Sequence, residues 1–214
     1  MKKTVVIISI VIAVGILGFV AYSLLTSSKV PQAFIDKHNE KVALEKEATQ
    51  AADLNSLPEW SNVDKQISEK SYTNALKTIE TGLSRKKEAA AKLNAIDGKL
   101  SELKSLSEKI TDSKVKTSAD NFIETAKKEN SAKSAYNNLQ IQMIEKLKAM
   151  VDILEKNPNT ISTANEKIIN TLSNEINSLK TQINEAETAL NTIQSQYKVA
   201  ETDFFKLAGL EVEK

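Results

Sequence analysis

The sequence contains no cysteine, which removes disulfides, thiolate nucleophiles and sulfur metal sites. Proline and glycine are scarce, at 3 and 5 residues. Tight turns and glycine-rich phosphate loops need those residues, so neither a β-rich fold nor a P-loop is expected. Histidine and tryptophan occur once each, as His38 and Trp60, and Arg85 is the only arginine. A charge excess is missing too. The 29 basic and 28 acidic side chains leave a formal net charge of +1. Nucleic-acid binding calls for a clearly basic face, so no nucleic-acid partner is expected.

These absences also bear on catalysis. A zinc site around His38 would lack a second histidine or a cysteine. His38 lies four residues from Phe34 and four from Val42, on the apolar side of a helix, and reads as a structural, hydrogen-bonded side chain. No serine sits in a Gly-x-Ser-x-Gly elbow. Carboxylates alternate with lysines as on solvated helix faces; Glu175, Lys180, Gln182 and Glu187 flank an apolar seam in this way. The sequence predicts a non-enzymatic protein without cofactor or metal.

What the sequence has begins with "MKKTVVIISIVIAVGILGFVAYSLLTSSK". After Lys2 and Lys3 no charge appears until Lys29. The apolar run from Val5 to Leu25, wound as a helix, reaches about 30 Å, the thickness of a hydrocarbon core. Residues 1–29 are therefore expected to be a transmembrane signal anchor. A cleaved signal peptide is the rival, with Ala21-Tyr22-Ser23 as the cleavage site. The apolar run continues past that site, which favours the anchor. Lys2 and Lys3 favour a cytoplasmic amino end, although Lys29, Lys37 and Lys41 weaken the asymmetry. The expected location is the cell membrane, single-pass, with residues 30–214 outside the cytoplasm.

The remainder reads as helix. Ile169, Leu172, Ile176, Leu179, Ile183, Ala186, Leu190, Ile193, Tyr197, Ala200, Phe204 and Leu207 recur at alternating steps of three and four. That is the signature of a coiled-coil-like helix. Thr163 with Glu166 offers a capping box at its start and Gly209 a stop at its end. Two more long stripes precede it. One runs from Tyr72 through Leu83 and Ala90 to Ile110, across Gly98; the other runs from Val115 through Phe122, Ala126 and Tyr136 to Leu154. "TDSK" at 111–114 and "KNPNT" at 156–160 are the breaks. Short connections make neighbours antiparallel, so the expected fold is all-α: a membrane helix, then an elongated antiparallel bundle roughly 60–70 Å long. Its outline is similar to spectrin-like three-helix rods.

The expected domains are the anchor, a stalk or linker helix and turn over 30–58, the bundle over 59–210 and a tail over 211–214. Residues 30–54 either prolong the anchor as a stalk or pack on the bundle as a fourth helix. Ser61 with Asp64 suggests a second capping box, opening a short helix through Ile67. Around "SRKKEAAAK" (84–92) and "KKENSAKS" (127–134) large apolar groups are missing. Folding the hairpins back levels Ala90 with Ala126 or Ala132 and with Ala186. Two expectations follow for this level, a thin waist of small side chains or a merely exposed polar surface. The stretch "SYTNALKTIETGL" (71–83) resembles the second helix of a tetratricopeptide repeat through Tyr72, Ala75, Leu76, Ile79 and Leu83, with 59–70 as its first helix. The match occurs once, and Gly82 stands where that family usually has alanine, so it implies a helical hairpin and no peptide-binding groove.

Two side chains are candidate partner-facing groups. Trp60, beside Leu57 and Pro58, either plugs a bundle end or anchors a partner. Phe205 lies off the seam that Phe204 follows, and either covers the 111–114 turn or meets another chain. The function this supports is a membrane-anchored scaffold, spacer or interaction module of a bacterial envelope, with an unknown protein partner. Two alternatives stand beside it. One is a ligand- or peptide-binding sensory module, although the sequence has no second apolar run to carry a signal. The other is a cytoplasmic-facing scaffold, similar in plan to membrane-anchored septation regulators with spectrin-like rods. Isoleucine and leucine alternating along the last seam suit a two-stranded coil, but serve a monomeric bundle equally well, and the monomer is favoured.

Overall fold

A computed structural model describes residues 29–210. All regular structure among them is helical: α1 (Gln32–Ala52), α2 (Val63–Ser68), α3 (Tyr72–Ser107), α4 (Ser113–Lys156) and α5 (Thr163–Ala208). Two single 3₁₀ turns, Leu54–Ser56 and Trp60–Asn62, lie between α1 and α2. None of the described helices is long and apolar enough to cross a membrane. The expected anchor, residues 5–25, lies outside the described residues, as does the 211–214 tail.

The helix ends show why the chain stops and turns where it does. Asp112 caps α4, its Oδ1 accepting the amides of Lys114 at 2.9 Å and Val115 at 3.1 Å. At the end of α5, Gly209 takes φ 72°. The Leu210 amide then returns to the Phe205 carbonyl at 2.9 Å and the Gly209 amide to Lys206 at 3.3 Å, a Schellman closure. The same closure ends α2, but Lys70 (φ 59°) occupies the left-handed position. There the Ser71 amide bonds the Gln66 carbonyl at 2.7 Å and Lys70 that of Ile67 at 3.1 Å. Both expected capping boxes need correction. Ser162, not Thr163, caps α5, by accepting the Asn165 amide at 3.2 Å. Ser61 does not cap α2; its hydroxyl points to the Pro58 carbonyl, and Asn62, directly before the helix, makes no side-chain cap bond.

The chain divides into two compact units. The first comprises 49–89 and 137–185, the second 29–48, 90–136 and 186–210. In the long helices the division therefore falls next to Ala90 and Ala186, as the levelled alanines suggest, but at 136/137 in α4.

In the first unit Val63, Ala75, Leu76, Ile79, Ile144 and Val151 form the buried cluster, with Trp60, Tyr72 and Leu83 packed against it. The sole arginine fastens the 3₁₀ region to α3. Arg85 donates to the Ser56 hydroxyl at 2.6 Å and to the Gln50 carbonyl. Trp60 is half-buried and lies flat over Gly82, where an added Cβ would come 2.4 Å from its Cζ3. Gly82 is thus required by the indole, which explains its place in the repeat-like stretch. The presumed first helix of that repeat shrinks to the six residues of α2.

In the second unit Phe34, Leu93, Ile96, Leu100, Phe122 and Phe204 are the centre of a larger cluster. Phe122 and Phe204 stack at 5.4 Å, and Phe34 meets Phe204 at 5.3 Å. Of the two placements open to 30–54, α1 takes the second: it packs as a fourth helix, with Phe34 and Ile35 buried. This fourth helix changes the buried face of α5. Leu207 is 44% exposed, whereas Glu201, Phe205 and Ala208 are buried. A straight helix drifts from a strict seven-residue repeat, and α1 meets the residues that drift brings inward. Phe205 is accordingly not a surface group. Its ring sits 5.1 Å from His38 and 5.3 Å from Phe204, without access for a partner.

Candidate functional site

Charged and polar residues interrupt the apolar stripes of α1, α3 and α4, and the structure buries most of them. The stripe of α4 has no large apolar group between Ala126 and Tyr136; Glu129 and Asn130 are buried there and Lys133 is half-buried. On α1, His38 and Lys41 are 3% and 1% exposed. On α3, Lys86 fills the step between Leu83 and Ala89 and is 2% exposed. Neither a thin waist of small side chains nor exposed polar surface describes these segments.

In the second unit the interruptions from α1, α4 and α5 join in one network. Lys41 Nζ is its hub, donating to Glu45 Oε2 at 3.0 Å and to the Tyr197 hydroxyl at 2.8 Å. The same ammonium lies 4.5 Å from the Tyr197 ring centroid, a cation–π contact in a desolvated place. Tyr197 in turn donates to Glu201 Oε1. From α4, Lys133 pairs with Glu129 at 2.9 Å and with Glu45 Oε1 at 3.5 Å. His38 closes the ring of groups, with Nε2 3.8 Å from Glu201 Oε1, beyond a hydrogen bond. Phe122 and Phe205 wall it on the other side at 5.6 and 5.1 Å.

The electrostatics follow from burial and from which charge stands nearest. Burial, helped by Lys41, pushes His38 down to about 3, so its imidazole is neutral. Burial works to raise Glu45, but Lys41 and Lys133 outweigh it and hold the carboxylate below its ordinary value. For Lys133 burial works downward, and Glu45 and Glu129 prevail, keeping the ammonium charged. Glu201 is raised by burial, against the Tyr197 hydrogen bond and the nearby positive charge of Lys41. Tyr197 rises well above its usual value, first through burial and then through Glu45 and Glu201. Two buried atoms, His38 Nδ1 and Glu129 Oε2, have no hydrogen-bond partner among the described residues.

A second polar insertion lies in the first unit. Lys86 donates to Gln140 Oε1, and Asn137 Nδ2 donates to the Lys86 carbonyl at 2.9 Å. Burial lowers Lys86 to about 8, a shift that Asp53 opposes and Arg85 reinforces. Its side chain bonds an amide rather than a carboxylate, so desolvation prevails.

Chemically, the larger network holds a neutral histidine, a carboxyl of raised pKa and paired lysines. It brings no nucleophile to an open cleft. Removing one partner of such a pair leaves an uncompensated buried charge. Of the residues marked from sequence, His38 is where its helical face implied. It is more deeply buried than expected, however, and its Nδ1 has no hydrogen-bond partner among the described residues. Trp60 belongs to the first unit and Phe205 to the second. Lys41, Glu45, Lys86, Glu129, Lys133 and Glu201 were not foreseen. For Lys41, Lys86, Glu129 and Lys133 the signal was a missing apolar residue on the stripe, filled by a charge; Glu201 lies off the unbroken α5 seam and left no such signal.

No protein family, curated protein or solved structure matches this chain.

Proposed function

We propose that the chain is a non-enzymatic, membrane-anchored helical-bundle protein of the cell envelope, acting as a scaffold, spacer or protein-interaction module. The observation that carries this reading is the uncharged apolar run at residues 5–25, long enough for one membrane span, set before a helical domain. The bundle's chemistry supports the same reading. The interior Lys41, Glu45, Glu129 and Lys133 pair with one another within the chain. Lys2 and Lys3 before the run favour a bundle on the extracytoplasmic side.

The test is fractionation followed by topology reporters. The full chain should sediment with membranes and resist an alkaline carbonate wash. An alkaline phosphatase fused after Lys214 should be active, and a fluorescent protein fused there should be dark. Release of the chain into the soluble fraction would overturn the anchor. Fluorescence with silent phosphatase would overturn the location and favour the cytoplasmic-facing scaffold.

A further inference from the structure

The amino-terminal half of α5 is amphipathic but incompletely covered. It contributes no residue to the buried cluster of the first unit. Ile169, Leu172 and Ile176 are only half-buried and Ile168 is 47% exposed, whereas Leu179 and Ile183 downstream are buried. α4 runs beside this stretch, fixed by a 2.7 Å ion pair between Lys146 and Glu175. Its own Met143, Met150 and Leu154 are likewise half-buried and outside the cluster. Large apolar side chains on adjacent helices, half-covered in a row, are what a further helix would cover.

We propose that residues 165–180 of α5 pair, parallel and in register, with the same residues of a second copy of this chain. The occupant is argued from the coding of the stripe itself. Ile169 and Ile176 stand at one seam position and Leu172 at the other, the arrangement that favours parallel two-stranded coils. Charge supplies the orientation. Glu175 directly precedes the seam residue Ile176, and Lys180 directly follows Leu179. In a parallel pair these two flanks face each other across the interface, so each Glu175 meets Lys180 of the second copy. An antiparallel pair sets each flank against its own kind. Glu175 and Lys146 are 43% and 42% exposed, so the carboxylate remains reachable. The apolar run at 5–25 offers no charge to either Glu175 or Lys180 and fits the stripe less well. The sequence reading favoured a monomer because these seam residues serve an intramolecular bundle equally well and the flanks, Lys180 among them, are weakly charged. The half-burial of Ile169, Leu172 and Ile176 removes the first reason.

The absence of native cysteine gives a direct test on the full chain, in membranes or in detergent. Leu172→Cys and Ile169→Cys, both in the seam, are compared with Val199→Cys, an equally cysteine-bearing control at a 63% exposed position of α5 in the second unit. Under mild oxidation, positions 172 and 169 should give a disulfide-linked species of twice the 23.6 kDa chain, several-fold more than position 199. Lys180→Glu should weaken that cross-link and Glu175→Lys/Lys180→Glu should restore it. Equal cross-linking at all three positions would mean random collision and overturns the proposal. So does a monomer by light scattering in which Cys at 169 is protected from a thiol reagent, because the stripe would then be covered by the chain's own residues or by a different protein.

Discussion

Replacing Lys86 by methionine should stabilise the first unit. Lys86 is 2% exposed, and burial lowers it from 10.5 to about 8. At 1.36 kcal/mol per unit, that shift corresponds to about 3 kcal/mol of unfavourable charging in the folded state at neutral pH. Methionine has similar length and no charge, so this penalty vanishes. The loss is the bond to Gln140 Oε1, which leaves that carboxamide unpaired at a cost of about 1–2 kcal/mol, because its Nε2 already lacks a partner among the described residues. The net expectation is a gain of about 1–2 kcal/mol at pH 7. The sign of the pH dependence follows from the depressed folded value. Between pH 8 and 10.5 the unfolded chain binds the extra proton, so wild-type stability rises across that window relative to the variant. Below pH 8 both states are protonated and the difference is constant. Urea unfolding followed by the fluorescence of Trp60, in the same unit, reads this out. Destabilisation of Lys86→Met by more than 1 kcal/mol at pH 7, or a difference that ignores pH from 8 to 10.5, would refute the reasoning about buried charge.

Other expectations follow from single contacts. Gly98→Ala meets nothing within 4 Å and should gain up to about 1 kcal/mol of helix propensity, whereas Gly82→Ala puts a Cβ 2.4 Å from Trp60 and should cost about 1–3 kcal/mol net, with a red-shifted indole emission. Lys70→Gly relieves a left-handed φ of 59° and should stabilise by about 1 kcal/mol in thermal unfolding. The second unit should lose stability as pH falls below 6.5, because unfolded His38 binds a proton that the folded, buried ring refuses down to about 3. Glu45, held low by Lys41 and Lys133 against burial, adds to that loss below its ordinary value, and Glu201, raised by burial, opposes it. Amide protection factors in 90–136, taken against the intrinsic exchange rate at each pH, should therefore fall between pH 6.5 and 4.5, and His38→Phe should flatten that dependence.

The long helices were legible because burial repeats with helical period: Leu93, Ile96, Leu100 and Leu103 are all buried along the stripe the sequence shows. The breaks at 111–114 and 156–160 were legible from turn chemistry. The register of α5 near its end was not. Which of Leu207 and Phe205 faces inward depends on α1, a helix whose own stripe is interrupted by His38, Lys41 and Glu45. A weak apolar pattern on α1 concealed a buried face, since beyond Phe34 and Ile35 its inward groups include Lys41 and Glu45, which bond Tyr197, Lys133 and each other. Periodicity counts apolar residues and so passes over a lysine that fills a core position, as Lys86 does. The ring of groups around Lys41 could be read only once the helices were paired. A gap of ten residues in the α4 stripe, from Ala126 to Tyr136, was its trace in the sequence.

The claim that the polar breaks in the stripes are dry interior can be tested on one atom set, since the chain has a single histidine. Imidazole carbon and nitrogen chemical shifts of His38, followed by NMR as pH falls while circular dichroism shows the helices intact, report its protonation directly. The account predicts a neutral ring with no titration from pH 8 down to 4.5. A midpoint near 6.5 in the folded protein would place His38 in water and contradict it.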